Sequence, residues 1–278
     1  MSESQKFGGP WTVQKLSAVE NYLNSYTTAL KNTPLKLCYI DAFSGAGYVT
    51  LKSGETIDGS AIRALRYPFD RYYFFEQDSE CLNALREKIR MDFDDKKDKI
   101  ELVQGDCNEL LKNIDQASWF NKNWRGVIFL DPFAMDLSWS CLESISRTKA
   151  FDVWYLFPFS AVNRNLTTSG KILPANEAKL TKIFGSSDWK TIIYKESPQL
   201  TYLDEPNLAK ASVEGLKQYI LGRLQETFYG AVAPNPALLR NKMNSSLFLL
   251  CFAASNPNEQ AKALALKLAK HILEKVSD

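Results

Sequence analysis

The chain has 278 residues, 45% of them hydrophobic and 24% charged, with a formal net charge of +2. That length supports one large domain or one domain with an appendage, and the composition is that of a folded protein rather than a disordered or fibrous one. A balance so near neutrality weakens the case for bulk electrostatic attraction to nucleic acid and leaves a local basic surface as the route to such a partner.

The five cysteines, Cys38, Cys81, Cys107, Cys141 and Cys251, are scattered without a CxxC pair. An odd, unpatterned set gives neither a disulfide framework nor a zinc site, so no metal is expected. No apolar run approaches the roughly 18 residues of a membrane span, and the first residues lack the charged-then-apolar pattern of a secretion signal. The expected setting is cytoplasmic, without membrane association. The only histidine, His271, lies far from every motif below, which removes His-based catalysis, including a Ser-His-Asp triad.

Along the chain, residues 1–10 are polar and rich in Gly and Pro and read as a loose arm. From 12 to 31, Val13, Leu16, Val19, Leu23, Tyr26 and Leu30 recur at helical spacing, with Thr12 placed as the N-cap. A strand follows at 37–43, a loop at 48–58, and a short helix from Gly59-Ser60 to 66. Then come a strand at 72–76, a helix at 79–90, a charged solvated connection at 92–99, a strand at 100–104 and a short helix at 107–114. A strand at 126–130, a helix at 137–147 and a strand at 153–157 complete the regular part. Strands separated by helices require right-handed crossovers and a mainly parallel sheet.

The final third is less regular. Residues 160–207 hold many turn residues and one apolar patch at 189–194; a helix is expected at 208–229, a buried strand at 246–254 and an amphipathic helix at 259–276. Late strands after an irregular insertion would complete a seven-stranded sheet with helices on both faces, a Rossmann-like α/β fold. Residues 1–278 are therefore read as a single domain.

Four strand ends carry acids. Tyr39-Ile-Asp-Ala-Phe-Ser-Gly-Ala-Gly47 runs from a strand into Asp41 and a turn with two glycines, and Glu76, Asp106 and Asp131 follow at or just past later strands. Ligands of open parallel sheets bind outside those strand ends. The spacing Asp41-x-x-x-Gly45-x-Gly47 lacks the third glycine of a dinucleotide loop, and no helix follows at once. A nucleoside cofactor without phosphates suits it, and S-adenosylmethionine, with its cationic amino group favouring Asp41, fits. Glu76 is placed to accept both ribose hydroxyls and Asp106 to accept from the adenine amino group, although an acid after a strand can equally cap the next helix. Phe43 and Cys107, beside these acids, join the expected cofactor set.

In Leu130-Asp-Pro-Phe133, Asp131 with the carbonyl of Pro132 would take the hydrogens of an acceptor amine and aim its lone pair, while the ring of Phe133 stacks on the acceptor. The alternative is a strand ended by proline with a capping Asp. Phe159, Asn163 and Arg164 follow the last parallel strand and suit stacking and phosphate contact, or equally a rim with Arg164 paired to a carboxylate. Lys15, Lys171, Arg240 and Lys242 read as solvated surface, with contact to a polyanion as the alternative.

The order of these motifs resembles class I methyltransferases. In detail the chain resembles the three-Cys-motif partner (TcmP) family, through Lys15 in the first helix, the 39–47 motif, Gly59-Ser60, Glu76, Gly105-Asp106, Leu130-Asp-Pro-Phe133 with Trp139, and Leu156-Phe-Pro with Asn163-Arg164. The resemblance covers residues 12–165 well and the remainder loosely. It implies an S-adenosylmethionine-dependent methyltransferase and a separate partner protein with three cysteines. A more distant likeness to adenine-N6 methyltransferases implies amine methylation on a nucleic-acid base. That family's Asp/Asn-Pro-Pro-Tyr/Phe differs here, with Phe133 at the second proline and Ala134 at the aromatic. A regulatory methyltransferase-fold subunit and a methyltransferase of small molecules or proteins are the competing expectations.

Overall fold

The computed structural model describes residues 9–117, 123–196, 208–229 and 231–277. Helix α1 (Pro10–Leu30) precedes β1 (Lys36–Asp41), the short strands β2 (Tyr48–Thr50) and β3 (Thr56–Asp58), α2 (Ser60–Ala64), β4 (Arg71–Glu76) and α3 (Ser79–Asp92). Then follow β5 (Ile100–Gln104), α4 (Cys107–Leu111), β6 (Trp124–Leu130), α5 (Trp139–Thr148), β7 (Phe151–Phe157) and α6 (Phe159–Asn165). The last third comprises α7 (Pro174–Phe184), α8 (Trp189–Ile193), β8 (Tyr194–Glu196), β9 (Leu208–Lys210), α9 (Val213–Thr227), β10 (Ala237–Arg240), β11 (Ser246–Ala254) and α10 (Glu259–Ser277).

Seven strands form one sheet in the order β10-β11-β7-β6-β1-β4-β5, and β2-β3 and β8-β9 are separate hairpin-like pairs. β1, β4, β5, β6 and β7 are mutually parallel; β11 runs antiparallel to both β7 and β10, so β10 points the same way as the parallel set.

Helices cover both faces, and strand alternation divides the core accordingly. In β7, Phe151, Val153, Tyr155 and Phe157 enter one cluster with α5, α6, α7 and α9, while Trp154 and Leu156 enter the other with α1, α2 and α10. All seven residues of β7 are buried, as expected of a strand sandwiched between helical layers. Behind it, Asp152 is sealed under α1, where its Oδ2 accepts the Tyr22 hydroxyl at 2.6 Å. Among the described residues no helix is long and apolar enough to cross a membrane.

The structure shifts several expected elements. Thr12 is not the cap of α1: Gly9 is, because Pro10 fits the first helical position, where its missing N–H costs nothing. The loop at 48–58 contains the β2–β3 pair. The helix expected at 208–229 begins only after Ser212, whose side chain accepts from Gly215 N at 3.1 Å; residues 208–210 instead pair with β8. Residues 160–196 are helical for most of their length, and the remainder of the expected irregular insertion, 197–207, lies outside the described residues, as do residues 1–8 of the expected arm.

Candidate active site

The turn after β1 is stitched to its neighbours on both sides. Ala42 N donates to Phe129 O at 3.1 Å on β6, and Ser44 N donates to Phe75 O at 3.0 Å on β4. Gly45 and Gly47 stand at φ +59° and +79°, in the left-handed region that glycine adopts without strain. A side chain at Gly45 would meet open space, whereas a Cβ at Gly47 would lie 2.8 Å from Leu85 Cδ1 and 3.0 Å from Ile62 Cγ1. One glycine thus borders open space at the strand ends, the crevice in which ligands of such sheets bind, and the other permits close packing against α2 and α3.

Asp41 is fully buried under this turn. Its Oδ1 accepts from Phe43 N at 3.2 Å and its Oδ2 from the Tyr39 hydroxyl at 3.4 Å, with the Ser60 side chain as a further donor. Burial pushes its carboxyl up to about 7 against the pull of those donors. Asp41 organises the turn from beneath and presents no open oxygen to a cationic ligand. Phe43 is half-buried against the core.

Glu76, at the end of β4, accepts Gly45 N on Oε2 at 2.8 Å and Asp78 N on Oε1 at 2.9 Å. It therefore fixes the glycine turn and the entry into α3 together. Each of its oxygens keeps one lone pair for a further donor. Asp106 caps α4: its Oδ1 accepts Asn108 N at 2.9 Å and Asn108 Nδ2 at 2.8 Å, leaving Oδ2 without a partner among the described residues. The capping role and an open ligand-facing oxygen coexist in one carboxylate. Cys107 turns its thiol into the core, where burial pushes it up; only its backbone is left to meet a ligand.

Asp131 follows β6. Its Oδ2 accepts Lys15 Nζ from α1, and the two side chains are 23% and 14% exposed. Asp131 also lies close enough to Asp41 to oppose its ionisation. Pro132 is buried and Phe133 is 73% exposed, its ring free on the surface. Ala134 takes φ +50°, a left-handed position unusual for a residue with a Cβ. The loop is tied back by Asn108, whose Nδ2 donates to Asp136 O at 2.9 Å and whose Oδ1 accepts Ser138 N at 2.7 Å.

The structure thus brings Asp41, Gly45, Gly47, Glu76, Asp106 and Asp131 to one edge of the sheet. It separates Phe159 from them: that side chain is 1% exposed and belongs to the core, so it offers no face for stacking. Asn163 is half-buried, its carbonyl accepting Lys210 Nζ at 2.7 Å, and Arg164 is exposed.

Two participants carry sequence signals that a reading of strand ends passes over. Lys15 is in phase with Val19, Tyr22 and Tyr26 on the buried face of α1, a place where a surface lysine does not belong. Asn108 sits two residues past a capping acid, and its link to residues 136–138 is visible only in three dimensions.

This strand order, with β11 alone reversed, is the Rossmann-like class I methyltransferase fold. No protein-family model matches the chain, and no curated protein matches it in sequence. Among solved structures, a protein from Legionella pneumophila str. Philadelphia 1 is similar at 12% identity with a TM-score of 0.52, over 96% of this chain and 94% of that one. Trm1 from Pyrococcus horikoshii, solved in complex with S-adenosyl-L-methionine, is similar at 14% identity with a TM-score of 0.50, over 99% of this chain and 61% of that one. Identities this low establish a shared fold.

Proposed function

We propose that the chain is an S-adenosylmethionine-dependent methyltransferase that methylates an amine on a nucleic-acid base. The observation that carries this reading is the alignment of Glu76, Asp106 and the Lys15–Asp131 pair along one edge of the sheet, at successive strand ends, with the open side of Gly45 among them. The donor chemistry fits the cofactor. Glu76 has two lone pairs left for ribose hydroxyls, Asp106 has a free oxygen for an exocyclic amine, and Gly45 leaves the space a side chain would fill. When bound, the cofactor supplies an electrophilic methyl group on a sulfonium.

The protein's own part is orientation. Asp131 Oδ1, the oxygen Lys15 leaves open, accepts one N–H of the acceptor amine, and the carbonyl of Pro132 accepts the other. The lone pair of the nitrogen is thereby directed along the remaining tetrahedral position. The proton shed by the methylated nitrogen passes to Asp131. Phe133, exposed beside this carboxylate, stacks on the base, and Asn163 and Arg164 line the approach. The same motifs support membership of the three-Cys-motif partner family, with a separate three-cysteine protein as its companion.

Calorimetry with S-adenosylmethionine on the wild type and on Glu76→Ala tests the cofactor, and a radiolabelled methyl screen over RNA, DNA and protein tests the acceptor. The expected result is micromolar binding lost in Glu76→Ala, and label on nucleic acid that Asp131→Ala abolishes while its cofactor affinity stays within a few-fold. Folded wild type that binds no cofactor would overturn the enzyme and favour a regulatory subunit. Label on protein alone would overturn the base.

A further inference from the structure

Acids and cations are divided between the two halves of the crevice. Glu76, Asp78, Glu80, Asp106 and Glu109 gather at the ends of β4 and β5. On the far side, residues 153–176 and 227–258 contain no acid at all, yet carry Arg164, Lys171, Arg240 and Lys242. In a chain of net charge +2 such a separation is a local field, not a bulk property.

Topology places the hairpin cations at the same end of the sheet as the acceptor carboxylate. β10 runs with the parallel strands, so Arg240 and the turn that follows stand at the same end of the sheet as Asp131. Leu249 pairs with the last residue of β7, Phe157, so residues 246–248 of β11 overhang it, by about 10 Å at some 3.4 Å per residue. β11 lies two strands and β10 three strands from β6, about 10 and 14 Å at the usual strand spacing. α6, which carries Arg164, packs against β11.

The hairpin tip is held rigidly. Asn241 Oδ1 accepts Met243 N and Ser245 N, both at 2.9 Å, and Arg240 donates to Asn244 O at 2.9 Å. Lys242 is exposed at the tip, and Met243 beside it is 85% exposed. Lys242, Lys171 and Arg164 make no ion pair among the described residues.

We propose that the β10–β11 hairpin, with Arg164 and Lys171, grips the phosphates flanking the target nucleotide, and that Met243 wedges against a neighbouring base. This rests on the base-methylation reading above and assigns it a substrate-binding surface. Cations neutralise phosphates without reading sequence, and an apolar side chain on a basic hairpin can unstack a base step so that the target swings toward Asp131.

The test is fluorescence anisotropy with short mixed-sequence, fluorescein-labelled single-stranded RNA and DNA, in the presence of S-adenosylmethionine, between about 50 and 200 mM salt. Lys242→Ala should weaken binding several-fold and lower the salt slope by about one, and Lys242→Ala/Arg164→Ala by about two. Met243→Ala should weaken binding with the slope unchanged, and Lys99→Ala, exposed at the opposite edge, should do neither. Wild-type binding that both cation variants retain with an unaltered slope would overturn the hairpin and leave base methylation standing. A wild type that binds neither oligonucleotide would overturn both.

Discussion

Lys15 and Asp131 are 116 residues apart in the chain, yet the ammonium of one donates to Oδ2 of the other at the mouth of the crevice. The first helix is thereby part of the site and not merely its cover. Both side chains are largely sheltered, so removing one partner costs more than it would at an exposed pair, though solvent still screens the charge left behind.

Lys15→Met should leave Asp131 unpaired and misdirected. Methyl transfer is expected to fall about tenfold or more, with a stability loss of about 1–2 kcal/mol, or roughly 2–8 °C in Tm for a domain of this size. Lys15→Arg should recover part of the rate. Single-turnover assays and thermal melts read both quantities, and an unchanged rate in Lys15→Met would reduce α1 to a structural role.

The two turn glycines should fail in different ways. Gly47→Ala forces a Cβ to within 2.8 Å of Leu85 Cδ1 at a positive φ, so it should destabilise the fold by about 1–3 kcal/mol. Gly45→Ala meets no protein atom; it should cost about 1 kcal/mol of backbone strain and chiefly weaken S-adenosylmethionine binding. Melts and calorimetry on the two variants separate the effects, and equal loss of cofactor affinity would count against the crevice-facing role of Gly45.

Stability should fall as pH rises through the neutral range. Asp41 and Asp152 are both buried, and burial pushes each carboxyl up from its ordinary 3.8 to about 7. For Asp152 the Tyr22 hydroxyl and Arg125 oppose that rise without cancelling it. The folded state then holds more protons than the unfolded chain between those values, so their contribution is present below about pH 4 and lost by about pH 7. Three units correspond to an upper limit of about 4 kcal/mol per group. Asp152→Asn keeps an acceptor for Tyr22 and removes the titration. Denaturant unfolding against pH should show a shallower decline in that variant and greater stability than wild type above pH 7.

Phe133 and Phe159 offer a sharp contrast. Phe159→Ala empties a core position and should cost about 3–5 kcal/mol. Phe133→Ala removes an exposed ring and should alter stability by less than about 0.5 kcal/mol while raising KM for the acceptor. A normal KM in Phe133→Ala would remove the stacking role.

The parallel half of the fold is legible because each of its strands is a compact apolar run punctuated by an acid, a glycine or a proline. β10 is not: its four residues follow Pro234 and Pro236 and take their meaning only from pairing with β11. β9 is three residues long and sits where helical propensity dominates the local pattern. In the site, the acids could be read from their strand ends, but which face solvent could not. Asp41 is sealed where a ligand contact is expected, because the glycine turn folds back over it. Phe159 looks like a rim residue after Pro158, yet α6 begins at that residue and turns it into the core. Lys15 shows the opposite case, a charge lying in an apolar stripe because its partner arrives from β6.

The position of β11 has a consequence for synthesis. It is the latest of the sheet strands to leave the ribosome, yet it lies between β7 and β10, both made before it. Until it inserts, β7, apolar but for Asp152, keeps a bare edge and β10 has no strand neighbour. Nascent chains stalled before residue 246 would therefore expose a strand ready to pair with any other chain. Insertion of β11, rather than emergence of the glycine turn after β1, becomes the moment at which the sheet is safe from such pairing.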